Sequence, residues 1–130
     1  MSAPREWDEM MLTILCDNQA ADREHYADGF DVDVDVSGLC YIEVYGHRTI
    51  LHTGRGEITV NQSLAALEEA LGGDPFLRCH RYFIVNIDFV ERVAGHAFLM
   101  KDGREIPLSR DGRTAIKNRY LSYVFKRMEG

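Results

Sequence analysis

A mostly-β domain with two helices is the fold class this sequence predicts, and three observations predict it. Residues 30–36 read Phe-Asp-Val-Asp-Val-Asp-Val, a strict alternation of apolar and acidic side chains. Further on, short apolar and β-branched runs alternate with glycine-bearing turns. Only two segments repeat apolar residues at helical spacing. A chain of 130 residues, 45% of them hydrophobic, is one domain's worth with enough apolar material for a packed core.

Taken in order, Met11–Cys16 is a candidate first strand. The polar stretch 17–29 fits a long loop and a short helix equally well. In 30–36 the alternation turns the valines to one face and Asp31, Asp33 and Asp35 to the other, as in a half-buried strand; those carboxylates read as a solvated face. A calcium site would need loop geometry and a bidentate ligand that the sequence lacks. Leu39–Tyr45 and Arg48–Thr53 follow as strands joined through Gly46, and Gly54-Arg55-Gly56 turns the chain into 57–60. Residues 88–93 and 96–100 flank Ala94-Gly95, and Lys101-Asp102-Gly103 reads as a tight turn into 104–108.

The first helix is expected over 63–71, where Leu64, Leu67 and Leu71 share a face and Gly72-Gly73 ends it. The second is expected over 109–127 with Ser109 as its N-cap. On that helix Arg110, Arg113 and Lys117 form a stripe continued by Tyr120, Leu121 and Val124. One face thus begins basic and ends apolar, as if its start meets an anionic partner while its end packs on a sheet. Sequence alone leaves open whether Tyr120, Tyr123 and Phe125 pack on the domain's own sheet or on a second chain.

The formal charge of −6 conceals a gradient. Residues 1–46 carry two basic side chains against eleven acids, a net −9, while 47–130 carry thirteen against ten, a net +3. An acidic chain can therefore present a basic face. No apolar run approaches the ~20 residues that cross a bilayer, and the acidic start MSAPREWDEMM does not resemble a signal peptide. Cys16, Cys40 and Cys79 include no CxxC pair, which argues against a disulfide framework or zinc cage. A reduced cytoplasmic location is expected.

Enzyme signatures are absent: there is no GxGxxG, Walker loop, GxSxG or HExxH. His47 and His52 lie five apart and fall on opposite faces of a regular strand, a poor spacing for a shared metal. Neither catalysis, nor a cofactor, nor a small-molecule substrate is expected.

The segment 76–90, Phe-Leu-Arg-Cys-His-Arg-Tyr-Phe-Ile-Val-Asn-Ile-Asp-Phe-Val, stands well above background. It resembles the signature of the LytTR family of DNA-binding domains: a phenylalanine, then His-Arg-Ser-(aromatic), then Ile/Val-Val-Asn and an apolar strand. Three more pieces match in the family's order. Leu39-Cys-Tyr-Ile-Glu-Val44 with Tyr45-Gly46-His47-Arg48 resembles its I-x-Y-I-E strand and following loop. Residues 63–71 resemble its small helix. Asp102-Gly103 with Ile106-Pro107-Leu108-Ser109-Arg110 resembles its closing hairpin and Ser-Arg motif.

The resemblance implies antiparallel β-sheets whose loops, rather than a recognition helix, enter successive major grooves of double-stranded DNA. Such domains bind direct repeats in promoters, often as two copies, and bend the DNA. The expected organisation is a DNA-binding domain over 11–130 behind an acidic extension, 1–10. Family contacts carry over to His47 with Arg48, to Arg81, and to Ser109 with Arg110. Arginine can bridge guanine O6 and N7 with two donors, and Ser109 at a helix start can bind a phosphate oxygen. Arg113 and Lys117 would add salt-sensitive phosphate contacts. His80 reads rather as a structural histidine bonded to a neighbouring turn, and Asn86 as a turn cap.

Departures from the family pattern matter too. Where response-regulator members of the family carry a receiver domain, this sequence shows an acidic segment ahead of Phe30, and the expectation is a stand-alone regulator or a piece of a longer one. Asp111-Gly112 replaces the basic residue that often follows Ser-Arg. A rival reading is a protein-interaction module whose acidic N-terminal part binds an inhibitory membrane or sensor protein. A weaker one is a redox sensor at Cys79, its thiol acidified by Arg78 and Arg81, against the plainer expectation of a half-buried, inert thiol.

Overall fold

In the computed structural model, residues 11–16 and 30–129 are described. Along the chain they form β1 (Met11–Cys16), β2 (Phe30–Asp35), β3 (Leu39–Tyr45), β4 (Arg48–Thr53), β5 (Gly56–Val60) and helix α1 (Leu64–Leu71). Then come β6 (Phe76–His80), β7 (Phe83–Asn86), β8 (Val90–Ala94), β9 (Ala97–Met100), β10 (Glu105–Pro107) and helix α2 (Arg113–Glu129). The stretch 17–29, the extension 1–10 and the side chains of Asp31 and Asp33 lie outside what is described, so the expectations placed on them stay as they were.

All strand pairing is antiparallel. The strands form a β1-β2 ribbon, a five-stranded sheet ordered β5-β4-β3-β7-β6, and a three-stranded sheet ordered β10-β9-β8. The five-stranded sheet is the middle layer. On one face Leu39, Ile42, Leu51 and Ile84 meet the α1 leucines, Leu64, Leu67 and Leu71. On the other, Tyr41, Leu77, Cys79 and Val85 meet Phe98 and Met100 of the small sheet and Tyr123 of α2. Burial on both faces explains why β7 is an unbroken apolar run: Ile84 serves one core and Val85 the other.

Helix α1 begins and ends where its sequence directs. The Ser63 hydroxyl accepts from the Ala66 N–H (3.1 Å), and Gly72, at φ 78°, donates its N–H to the Glu68 carbonyl (3.2 Å). Each buried leucine of this helix contributes roughly 1.5–3 kcal/mol. Asn86 is fully buried and satisfied: Nδ2 donates to the Leu39 carbonyl (2.8 Å), and Oδ1 accepts from the Asp88 N–H (2.9 Å).

Two boundaries depart from expectation. Residues 87–89 form a short 3-10 turn, so β8 begins at Val90 rather than at 88; the Asn86 side chain caps that turn and diverts the chain. The second helix starts at Arg113 rather than at Ser109 and runs to Glu129. Ser109 instead donates its backbone N–H to the Cys79 carbonyl (2.7 Å). Gly112, at φ 81°, then re-aims the chain, and its carbonyl takes the first helical bond from Ile116 (2.9 Å).

Candidate nucleic-acid interface

Topology gathers three loops at one end of the middle sheet. Because β3 and β7 are antiparallel, with Glu43 opposite Phe83, the β3–β4 turn lies beside the β6–β7 turn. A bond from the Val44 N–H to the Tyr82 carbonyl (2.9 Å) ties the two together. The 109–112 loop joins from beyond β6 through the Ser109–Cys79 bond. Successive hairpins in such a row are about 10 Å apart, two strand spacings.

The resulting surface is basic. His47 is exposed in the first turn, and Arg48 is exposed at the start of β4. Arg81 is exposed in the second turn with its guanidinium 4.9 Å from the centre of the Tyr82 ring. Arg110 is exposed in the third loop, next to half-buried Ser109 and exposed Asp111. Between the second and third loops lies a cleft of about 400 Å³ lined by Arg78, Cys79, His80, Arg81, Ser109 and Ile116, among others.

The β6–β7 turn is held from below. Half-buried Arg78 donates from Nε to the His80 carbonyl (3.0 Å), from Nη2 to the Arg81 carbonyl (2.8 Å) and from Nη1 to Glu68 on α1 (3.2 Å). His80 Nδ1 accepts the Tyr82 N–H (3.2 Å), the structural role expected of that ring. Toward the opposite end of β3 and β4 from that surface, His52 is buried 2.7 Å from Glu43 and stacks on Tyr41 with ring centres 4.1 Å apart. Burial pushes the Tyr41 phenol upward, and a hydrogen bond from Arg104 to its oxygen opposes that. Among the described residues no cluster of His, Cys, Asp and Glu could hold a metal ion, and no helix is long and apolar enough to cross a membrane.

A family model, the LytTr DNA-binding domain, matches residues 32–120. The chain belongs to the LytTR family. Among curated relatives of this LytTR domain, the CO-responsive transcriptional regulator RcoM of Rhodospirillum rubrum is 34% identical over 90 residues, which span 65% of this chain and 38% of RcoM. The sensory transduction protein LytT of Bacillus subtilis is 30% identical over 84 residues, 61% of this chain and 35% of LytT. The chain thus spans little more than a third of these relatives. A solved LytTr DNA-binding domain from Bacillus cereus superposes with a TM-score of 0.58 at 26% identity, covering 94% of this chain and 98% of that one.

Three expectations for the LytTR domain need correction. Ser109 is not a helix cap, so helix-start N–H groups do not assist its hydroxyl. Arg110 precedes α2 and does not continue the stripe of Arg113 and Lys117, which are themselves half-buried; the Arg113 Nε is buried with no hydrogen-bond partner among the described residues. The packed face of α2 runs through Ile116, Tyr120, Tyr123 and Val124, so its first half also lies against the core, while Leu121 is exposed. Cys79 is fully buried at a bulge in β6, and that burial pushes its thiol up to about 12, overriding the opposing pull of Arg78. Depth rather than nearby charge decides its character, against a reactive thiol.

Sequence reasoning missed two features of this LytTR domain. Arg78 is a brace for the Arg81 turn rather than a modulator of Cys79. Tyr45 and Tyr82 stand exposed at the two hairpin turns, 75% and 43% accessible. Their placement beside turn residues was the available signal, since an aromatic at a turn tip has little core to fill.

Proposed function

We propose that this domain binds double-stranded DNA sequence-selectively in the service of transcriptional regulation. In this reading residues 11–130 make up the DNA-binding domain, behind the acidic extension 1–10. The three loops enter successive major grooves, and two copies occupy adjacent direct repeats in a promoter, assembled on the DNA. Arg48, Arg81 and Arg110 read base edges, His47 and Ser109 contact the backbone or neighbouring edges, and Arg113 and Lys117 add flanking phosphate contacts. The observation that carries this reading is the row of exposed arginines on three adjacent loops at one sheet end. It is a basic surface on an acidic chain, built from the segments that match the family. Asp111, beside Arg110, weakens the phosphate field at that edge.

The test is a titration of fluorescent duplexes carrying spaced direct repeats at two salt concentrations, with wild type and Arg81→Ala/Arg110→Ala. The expected result is selective, salt-steep binding that the double substitution reduces by at least about 30-fold, since each bidentate arginine–guanine pair supplies ~1–3 kcal/mol. A wild type that prefers no duplex over random sequence at low salt overturns the reading. A second reading, a protein-interaction module, draws support from Leu121, Phe125 and Met128, an exposed apolar stripe on α2. Its binding would be nearly independent of salt.

A further inference from the structure

Each of the two hairpin turns at the interface carries one arginine and one tyrosine. In the first, Tyr45 pairs directly with Arg48 across β3 and β4, and residues opposite one another in a sheet share a face. In the second, Arg81 lies over the Tyr82 ring at 4.9 Å. The Tyr82 backbone is fixed on both sides, its N–H bonded to His80 Nδ1 and its carbonyl to the Val44 N–H. The ring is therefore presented outward by a turn that cannot readily re-aim it. It buries too little to be a core residue, and it stands where the family signature carries serine.

Resting on the DNA reading above, we propose that Tyr82 is a specificity-determining residue that contacts the C5-methyl group of a thymine next to the guanine read by Arg81. In the major groove guanine offers O6 and N7 to a guanidinium, and thymine offers a methyl group to an apolar surface. The 4.9 Å between guanidinium and ring centre is comparable to the ~3.4 Å between successive base pairs, so the couple spans one base step. Stacking on the ring also restricts the arginine, which favours a fixed bidentate geometry. Tyr82 thus adds a preference that a serine at this position lacks.

The experiment replaces each thymine of a selected duplex in turn by deoxyuridine, which removes only the methyl group. Affinities are measured for wild type, Tyr82→Ser and Tyr82→Phe, with circular dichroism to verify folding. At one position beside an Arg81-dependent guanine, deoxyuridine should weaken wild-type binding about fourfold, the factor expected for one buried methyl-sized group. Tyr82→Phe should keep that discrimination and Tyr82→Ser should abolish it. If selective binding persists but no thymine shows a methyl effect, or the effect survives in Tyr82→Ser, the inference fails while the DNA reading stands. If the wild type selects no duplex, both fail together.

Discussion

The two hairpin turns of the interface are made of the same residue types and built to opposite mechanical specifications. The β3–β4 turn has exposed Tyr45, His47 and Arg48 around Gly46, and among the described residues no side-chain hydrogen bond holds any of the three. The β6–β7 turn has Arg81 and Tyr82 over a scaffold: Arg78 binds two of its carbonyls, His80 accepts its N–H, and Glu68 anchors Arg78 to α1. A braced loop loses little freedom on binding, whereas a free one must be ordered at a cost of ~0.5–1.5 kcal/mol per long side chain. Under the proposed DNA reading, this contrast makes Arg81 the rigid reader of bases and His47 and Arg48 adaptable contacts.

Removing the brace is the sharpest way to break this comparison. Arg78→Ala alters no exposed arginine but frees two carbonyls and the His80–Tyr82 turn. DNA affinity should fall about tenfold, and stability to denaturant should drop by about 1–2 kcal/mol from the lost charge-assisted bonds. Arg78→Lys should rescue little, because one ammonium cannot reproduce a planar fork that reaches three acceptors. The matched titration and urea unfolding curves decide it. Unchanged affinity in Arg78→Ala would mean the β6–β7 turn does not need its scaffold, and the distinction between the turns would collapse.

The opposite turn responds to a backbone change. Gly46 sits at φ 64°, and a Cβ there would meet nothing within 4 Å, so only conformational strain opposes a side chain. Gly46→Ala should cost about 1–2 kcal/mol in unfolding free energy, and Gly46→Asn distinctly less, since asparagine tolerates the left-handed region. Denaturation midpoints measure both. DNA binding by Gly46→Ala should fall less than in Arg78→Ala if the first turn is the adaptable one.

The contrast also marks how far the sequence could be read. Strand limits at Leu39–Tyr45 and Arg48–Thr53 were legible because β-branched runs end at glycine turns, and α1 was legible because its leucines, Ser63 and Gly72 all agree. The three loops and their exposed arginines were legible through the ordered motif. The start of α2 was not: Ser109 has the chemistry of a cap, but its N–H is claimed by the Cys79 carbonyl, a tertiary bond 30 residues away in sequence that no local pattern announces. For the same reason Arg78 looked like a charge beside a cysteine. Two of its partners are carbonyls brought within reach only by the β6–β7 turn, and the third, Glu68, only once β6 meets α1.

Cys79 supplies the smallest expected effect, and it probes the floor of the braced hairpin. Its sulfur lies 3.7 Å from the Pro107 carbonyl and 3.9 Å from that of Phe83, with no exposed surface. In a Cys16→Ser/Cys40→Ser background the remaining thiol should resist an aromatic disulfide reagent at pH 8 and react fully once urea unfolds the chain. Because burial raises this thiol from near 9 to about 12, the unfolded chain gives up the proton first as pH rises. Its contribution to stability is therefore complete below pH 9 and lost on the way to 12. The stability difference between wild type and Cys79→Ala should shrink across that window. DNA affinity at pH 7.5 should be unchanged by peroxide in the same background, because a neutral buried thiol is neither nucleophile nor oxidant target. Fast labelling of the native protein, or peroxide-sensitive DNA binding that persists with Cys79 alone, would mean that β6 opens under the Arg81 turn. The brace would then be the movable part of the interface.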